Sequence, residues 1–179
     1  MSERHDELQL HRIGGKLVYS GPIASVRMDR FKYPDGSTSI RQVVVHPGAV
    51  AIVAHDGRVL YMVRQPREAV GQAALLELPA GKLDVNGESP LECAQRELAE
   101  EIGKSAGDWR PLKRFYTSPG FASEQVHLFL ATELYDAEPR KSDERIEIVE
   151  VPLNELDEAI GRCEDAKSLI GLQLLNQIL

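Results

Sequence analysis

Three carboxylates and one guanidinium stand within six consecutive positions, Arg96-Glu97-Leu98-Ala99-Glu100-Glu101. On a helix, Glu97 and Glu101 are one turn apart and Glu100 lies beside them, three positions after Glu97. Like charges at this spacing weaken an isolated helix by roughly 0.2–0.5 kcal/mol per pair, so the pattern asks for a cation. Hard oxygen ligands favour Mg²⁺ or Mn²⁺ over zinc, and no His or Cys cluster competes for the metal. The competing reading of these residues alone is a solvated acidic face.

The carrier of these residues is the clearest helix in the chain, Ser89 to Gly103. Ser89 is suited to the N-cap, Pro90 to the first helical position, and Glu92 completes a capping box. Leu91, Ala94, Leu98 and Ile102 recur at helical spacing, and Gly103 can close the helix in a left-handed conformation. Upstream, residues 17–33 hold β-prone positions. Pro34-Asp35-Gly36-Ser37 is a turn, and Ser39 to His46 reads as the returning strand of a hairpin. Ala49 to Gln65 reads as a second hairpin around Asp56-Gly57. Leu75 to Pro79 is a short strand. Further strands are expected at 112–117, 125–134 and 145–151, with helices near 153–162 and 166–178. Strands and helices do not alternate regularly, which predicts an α+β domain with a mixed sheet in an α/β/α layering.

Leu78-Pro79-Ala80-Gly81, then Glu88, then Arg96-Glu97-Leu98-Ala99-Glu100-Glu101-Ile102-Gly103 resembles the box motif of the Nudix hydrolases. Two positions depart from the pattern. Six residues separate Gly81 from Glu88 where the family has five, and Lys104 stands at a usually aliphatic place. The resemblance implies a Nudix-type sandwich preceded by an N-terminal antiparallel β-hairpin or small sheet. It also implies Mg²⁺-dependent cleavage of a diphosphate, with Mn²⁺ as a possible substitute. Glu97 and Glu101 would be the principal ligands, Glu100 would share or bridge, the Ala80 carbonyl would add a neutral oxygen, and Arg96 would orient the carboxylates.

Three further stretches are similar to the ADP-ribose pyrophosphatase group: Arg41-Gln42-Val43-Val44-Val45-His46-Pro47-Gly48, Val63-Arg64-Gln65-Pro66-Arg67, and Tyr116-Thr117-Ser118-Pro119-Gly120-Phe121, whose proline falls fifteen positions after Lys104. The similarity implies that Arg67 contacts the diphosphate. Arg41 and Gln42 would lie on the adenosine side of the pocket, with Pro119, Gly120 and Phe121 also lining it. The general base would come from an acidic loop, Glu144 first and Asp143 second. It also implies a homodimer whose N-terminal region, residues 1–46, is exchanged across a two-fold axis next to a catalytic domain at 47–179. His127 and Trp109 read as structural, and Ser118 lacks the partners of a nucleophile.

The composition agrees with one soluble globular unit, with 42% apolar and 27% charged residues. A net charge of −7 disfavours a nucleic-acid partner. No apolar run is long enough for a membrane span, and the polar N-terminus reads as no secretory signal. Cys93 and Cys163 read as reduced thiols of a cytoplasmic protein. Three functions are therefore expected in competition. The first is an ADP-ribose diphosphatase, and the second a diphosphatase for a UDP- or GDP-sugar. The third is a non-catalytic ADP-ribose sensor, which predicts eroded box glutamates.

Overall fold

The computed structural model describes residues 10–138 and 146–179. They fall into two compact units: the described part of residues 1–47 with Ser118–Glu124, and Gly48–Thr117 with Gln125–Leu179.

The first unit is a three-stranded antiparallel sheet of β1 (His11–Ser20), β2 (Ser25–Lys32) and β3 (Thr38–Val45), with β2 in the centre. The sequence does not announce β1, because His11 to Lys16 holds one β-prone residue, Ile13, beside Gly14-Gly15. Its pairing with β2 supplies what its own sequence does not announce. Every position of β1 is exposed, including Ile13, Leu17, Val18 and Tyr19. The Ser118–Glu124 segment joins this unit through the Val44 amide, which donates to the Phe121 carbonyl at 2.8 Å, and the Ser123 amide, which donates to the Val44 carbonyl at 2.9 Å.

The second unit is built on a mixed sheet. Its path runs β10 (Glu147–Pro152), β5 (Val59–Arg67), β4 (Ala49–His55), β9 (Gln125–Asp136), β8 (Lys104–Tyr116). β4 and β9 are parallel, and the remaining pairs are antiparallel. β4 is buried along nearly its whole length, as a continuous apolar run predicts for a strand covered on both faces. Ala49, Ala51 and Val53 pack toward α2 (Leu156–Arg162) and α3 (Ala166–Asn176), through Leu156, Leu172 and Leu175. Val50, Ile52 and Ala54 pack toward α1 (Pro90–Ile102), through Cys93, Ala94, Leu98 and Ile102. The result is the three-layer α/β/α arrangement. Leu91, assigned to the apolar stripe of α1, is instead 38% exposed, and Cys93 fills the buried position.

The expected hairpin of β4 and β5 is paired only at its tip, Ala54 with Tyr61 and His55 with Leu60. Beyond that the strands separate. A short strand, β7 (Ala80–Lys82), takes the place beside β4, pairing Ala51 with Ala80. β6 (Gln72–Glu77) pairs instead with β5. The link Leu78-Pro79 crosses the split and carries Ala80 and Gly81 to α1. β8 starts at Lys104, well before the expected 112, because edge pairing with β9 tolerates a polar sequence. Its Pro111 sits at a register shift where the ladder needs no donor. Among the described residues, no helix is long and apolar enough to cross a membrane.

The crossing link is tied to α3. The buried Ser168 hydroxyl accepts from the Leu78 amide at 2.7 Å and bonds the N-cap carboxylate of Asp165. Ser168→Ala should leave that amide unsatisfied and cost about 1–3 kcal/mol. Urea unfolding measures this, and an unchanged midpoint would show that the tie contributes nothing.

Candidate active site

α1 begins as its sequence dictates. The Ser89 hydroxyl accepts from the Glu92 amide and the Glu92 carboxylate accepts from the Ser89 amide. Gly103 closes the helix at φ 66°, a conformation costly for a residue with a Cβ. The additional residue between Gly81 and Glu88 is absorbed in a turn. The Glu88 amide donates to the Val85 carbonyl at 3.2 Å, and Gly87 takes φ 84°. Glu88 therefore still reaches the helix. Lys104, in place of an aliphatic residue, bonds Asp136 at 2.7 Å with its ammonium 5.6 Å from the Tyr61 ring centre.

Arg96 is the hub. Its Nε and Nη2 donate to the two oxygens of Glu88 at 2.8 and 3.0 Å. Its Nη1 donates to Glu97 at 2.7 Å and to Glu100 at 3.0 Å. The bond to Glu88, followed by the charge of Glu97 and the bonds to Glu100 and Glu97, raises the Arg96 pKa above its ordinary value against the opposing effect of burial. The same bond holds the Glu88 carboxyl below the usual carboxylate range. The planar fork suits this role because it can orient several oxygens at once. Glu88 was read only as a motif position; its part as anchor of Arg96 becomes visible in the structure.

Glu101 is 8% exposed and accepts from the Ala80 amide at 2.9 Å. Glu97 lies against Gly81: a Cβ there would fall 1.9 Å from the Glu97 carboxyl carbon. That close approach is the physical need for glycine at this position. Strand β7 and helix α1 thus meet at one place, with Ala80, Gly81, Glu97 and Glu101 in contact and Glu100 joined through Arg96. Among the described residues, no three His, Cys, Asp or Glu side chains form a ready ligand cage. The carboxylates are held by Arg96 and the Ala80 amide instead. Their chemistry, all hard oxygen with no sulfur or imidazole, fits Mg²⁺ or Mn²⁺. A cavity of about 490 Å³ opens on the Glu88 side of Arg96, toward Trp109 and Tyr135, and neither Glu97 nor Glu101 lines it.

Arg67 ends β5 in the same unit. Its Nε and Nη2 fork onto Glu77 at 2.6 and 3.0 Å. Glu77, a charge inside the apolar run Leu75-Leu76-Glu77-Leu78, was missed, although a carboxylate in such a run is itself a signal. Arg41, Gln42, Pro119, Gly120 and Phe121 belong to the first unit. Arg41 is exposed and donates to the Ile40 carbonyl and the Tyr33 hydroxyl, each at 3.1 Å. Asp143 and Glu144 lie outside the described residues. Trp109 packs edge-on against Phe129 and donates to the Ala106 carbonyl. Burial lowers the His127 pKa.

The NUDIX domain profile matches residues 45–170. The chain belongs to the Nudix family. It is 38% identical over 175 residues to an ADP-ribose pyrophosphatase of Bacillus subtilis (strain 168), covering 94% of this chain and 93% of that protein. It is 44% identical over 129 residues to an ADP-ribose pyrophosphatase of Mycobacterium tuberculosis (strain ATCC 25618 / H37Rv), covering 72% of this chain and 62% of that protein. The fold is shared with the crystal structure of an ADP compounds hydrolase, at TM-score 0.82 and 24% identity, covering 96% of this chain and 95% of that one. Nudix hydrolases generally need a divalent metal.

Gly81 has ordinary φ, so alanine fits the backbone but not the space taken by Glu97. Gly81→Ala should displace the flexible Glu97 side chain and reduce turnover on the order of 10²-fold. Stability should change by less than about 1.5 kcal/mol. Wild-type turnover in a folded Gly81→Ala would contradict this close packing of Glu97.

Proposed function

We propose that this Nudix hydrolase cleaves ADP-ribose between its two phosphates, giving AMP and ribose 5-phosphate, with Mg²⁺ as cofactor. The carrying observation is the meeting of Glu97, Glu101 and Glu100 with the Ala80–Gly81 strand, in a chain similar over most of its length to an ADP-ribose pyrophosphatase. Glu97, Glu100, Glu101 and the Ala80 carbonyl would hold the metal. When bound, it offsets phosphoryl charge and lowers the pKa of the attacking water. Arg96 keeps the carboxylates aligned, so little reorganisation is needed during reaction. Arg67 binds the diphosphate. Glu144 takes the proton of the water, with Asp143 as the second candidate. Free Cys93 and Cys163 suit a reducing, cytoplasmic setting.

The same reading includes a homodimer, with residues 1–46 as the exchanged region and 47–179 as the catalytic domain. The support is the exposure of β1 on both of its faces, with Ile13, Leu17, Val18 and Tyr19 each at least half exposed. A second copy would bury these side chains in an isologous interface. Arg41, Gln42, Pro119, Gly120 and Phe121 would then serve substrate recognition.

The function is tested with ADP-ribose, UDP-glucose, GDP-mannose, NADH and a nucleoside triphosphate, each with Mg²⁺ and with products identified. ADP-ribose should give the highest kcat/KM. A UDP- or GDP-sugar in first place would change the substrate, and ADP-ribose binding without turnover would make the chain a sensor. Glu97→Gln and Glu101→Gln should each lower kcat on the order of 10²-fold or more. Glu144→Gln should lower kcat with little change in KM. Loss with Asp143→Asn instead would move the base by one residue. Light scattering at micromolar concentration should show a dimer, and a monomer would remove the exchanged-region proposal.

A further inference from the structure

The second unit buries another acid besides Glu101. Glu77 is 1% exposed at the end of β6, and its oxygens are taken by two cations from different elements. Arg67, from β5, forks onto both oxygens; Lys167, in the first turn of α3, bonds Oε2. Lys167 also bonds Asp165, the N-cap of α3, at 3.0 Å. A carboxylate buried this deeply is tolerated only when paired, and an apolar residue would fill the same space without that requirement. Burial would push the Glu77 carboxyl up, but bonds and charge from Arg67 and Lys167 outweigh it and keep the group ionised.

The exposure of the three side chains is graded. Glu77 is at 1%, Lys167 at 16% and Arg67 at 41%. The guanidinium is therefore gripped from below while its outer part remains accessible. Glu77 occupies Nε and Nη2, and Nη1 makes no hydrogen bond to any described residue. After Glu77, the charges of Glu101 and Asp165 also act on Arg67 and help to hold its pKa above the ordinary value. Lys167 bonds the same Oε2 that Arg67 Nη2 reaches and offsets part of the charge of Glu77, so Arg67 is not its sole counter-ion and keeps its attraction for an anion.

We propose that Glu77, backed by Lys167, is a positioning residue that fixes the orientation of the Arg67 guanidinium for clamping the substrate diphosphate. This rests on the reading of Arg67 as a diphosphate contact. An unheld arginine samples many rotamers and would have to be ordered at each binding event; a guanidinium already locked by a fork loses little more.

A double-mutant cycle tests the assignment. Glu77→Gln, Arg67→Met and the double variant are compared for kcat/KM on ADP-ribose with Mg²⁺. Each is also compared for the Kd of non-hydrolysable α,β-methylene ADP-ribose by calorimetry, and thermal unfolding confirms that it is folded. Arg67→Met should lose on the order of 10²-fold in kcat/KM, and Glu77→Gln about tenfold or more. The double variant should be no worse than Arg67→Met alone, because Glu77 acts only through Arg67. Arg67→Lys, which keeps the charge but not the fork, should fall with Arg67→Met. Additive losses, or wild-type behaviour of Arg67→Lys, would overturn the positioning role while the diphosphate contact stands. Wild-type kcat/KM in Arg67→Met would remove the contact itself, and the positioning role with it. If Glu77→Gln does not fold, Arg67→Lys decides the question, since it keeps a cation beside the buried Glu77 carboxylate while removing the fork.

Discussion

Anionic charge gathered at the wrong end of a helix is the constraint on which the rest of this structure depends. Glu97, Glu100 and Glu101 occupy the C-terminal half of α1, and the last turn holds no basic residue. The helix dipole is negative there, and each unfavourable charge costs roughly 0.3–1 kcal/mol when exposed. A helix selected only for stability would place lysines at these positions. The surrounding structure compensates with specific donors: Arg96 for Glu88, Glu97 and Glu100, and the Ala80 amide for Glu101. Among the described residues named here, four carboxylates face one guanidinium, and this anionic excess is the chemical basis for recruiting a divalent cation. Arg96 holds in place side chains that would otherwise spread apart by mutual repulsion.

The split of β4 from β5 makes the arrangement possible. Had the hairpin remained paired along its length, no edge of β4 would be open to β7, and Ala80 and Gly81 could not reach α1. The opening is held from both sides. The Ile52 amide donates to the Pro79 carbonyl at 2.9 Å, and Ser168 and Glu77 tie the other part of the crossing link to α3 and β5. Five successive residues, Glu77 to Gly81, thus each have a defined contact, and they connect Arg67 on one side of the split to the helix carboxylates on the other.

The parts legible in the sequence were those written in local chemistry. Ser89, Pro90, Glu92 and Gly103 delimit α1 because caps act within a few residues. The box spacing placed Arg96 and its glutamates on one side of the helix. The apolar run of β4 announced a strand, and its burial on both faces is seen only in the structure. What stayed hidden depends on distant pairing. The polar start of β8 and the glycine-containing β1 are strands only because β9 and β2 offer a ladder. The β4–β5 turn at Asp56-Gly57 was visible, but the divergence beyond it was not, since it is decided by competition from β7. The Glu77–Lys167 bond joins residues 90 positions apart, and only the exceptional charge within an apolar strand hinted at it. Leu91 fitted the helical period but faces outward, and the smaller Cys93 packs where α1 comes close to the sheet.

On the proposed function, the α1 carboxylates hold a divalent metal. The most direct measurement is electron paramagnetic resonance of Mn²⁺ titrated into the wild-type protein and into Glu101→Gln, in the presence of α,β-methylene ADP-ribose. Wild type should remove the free-Mn²⁺ signal at micromolar metal, and Glu101→Gln, though folded, should leave most of it in place. Equal binding by the two proteins would contradict that reading.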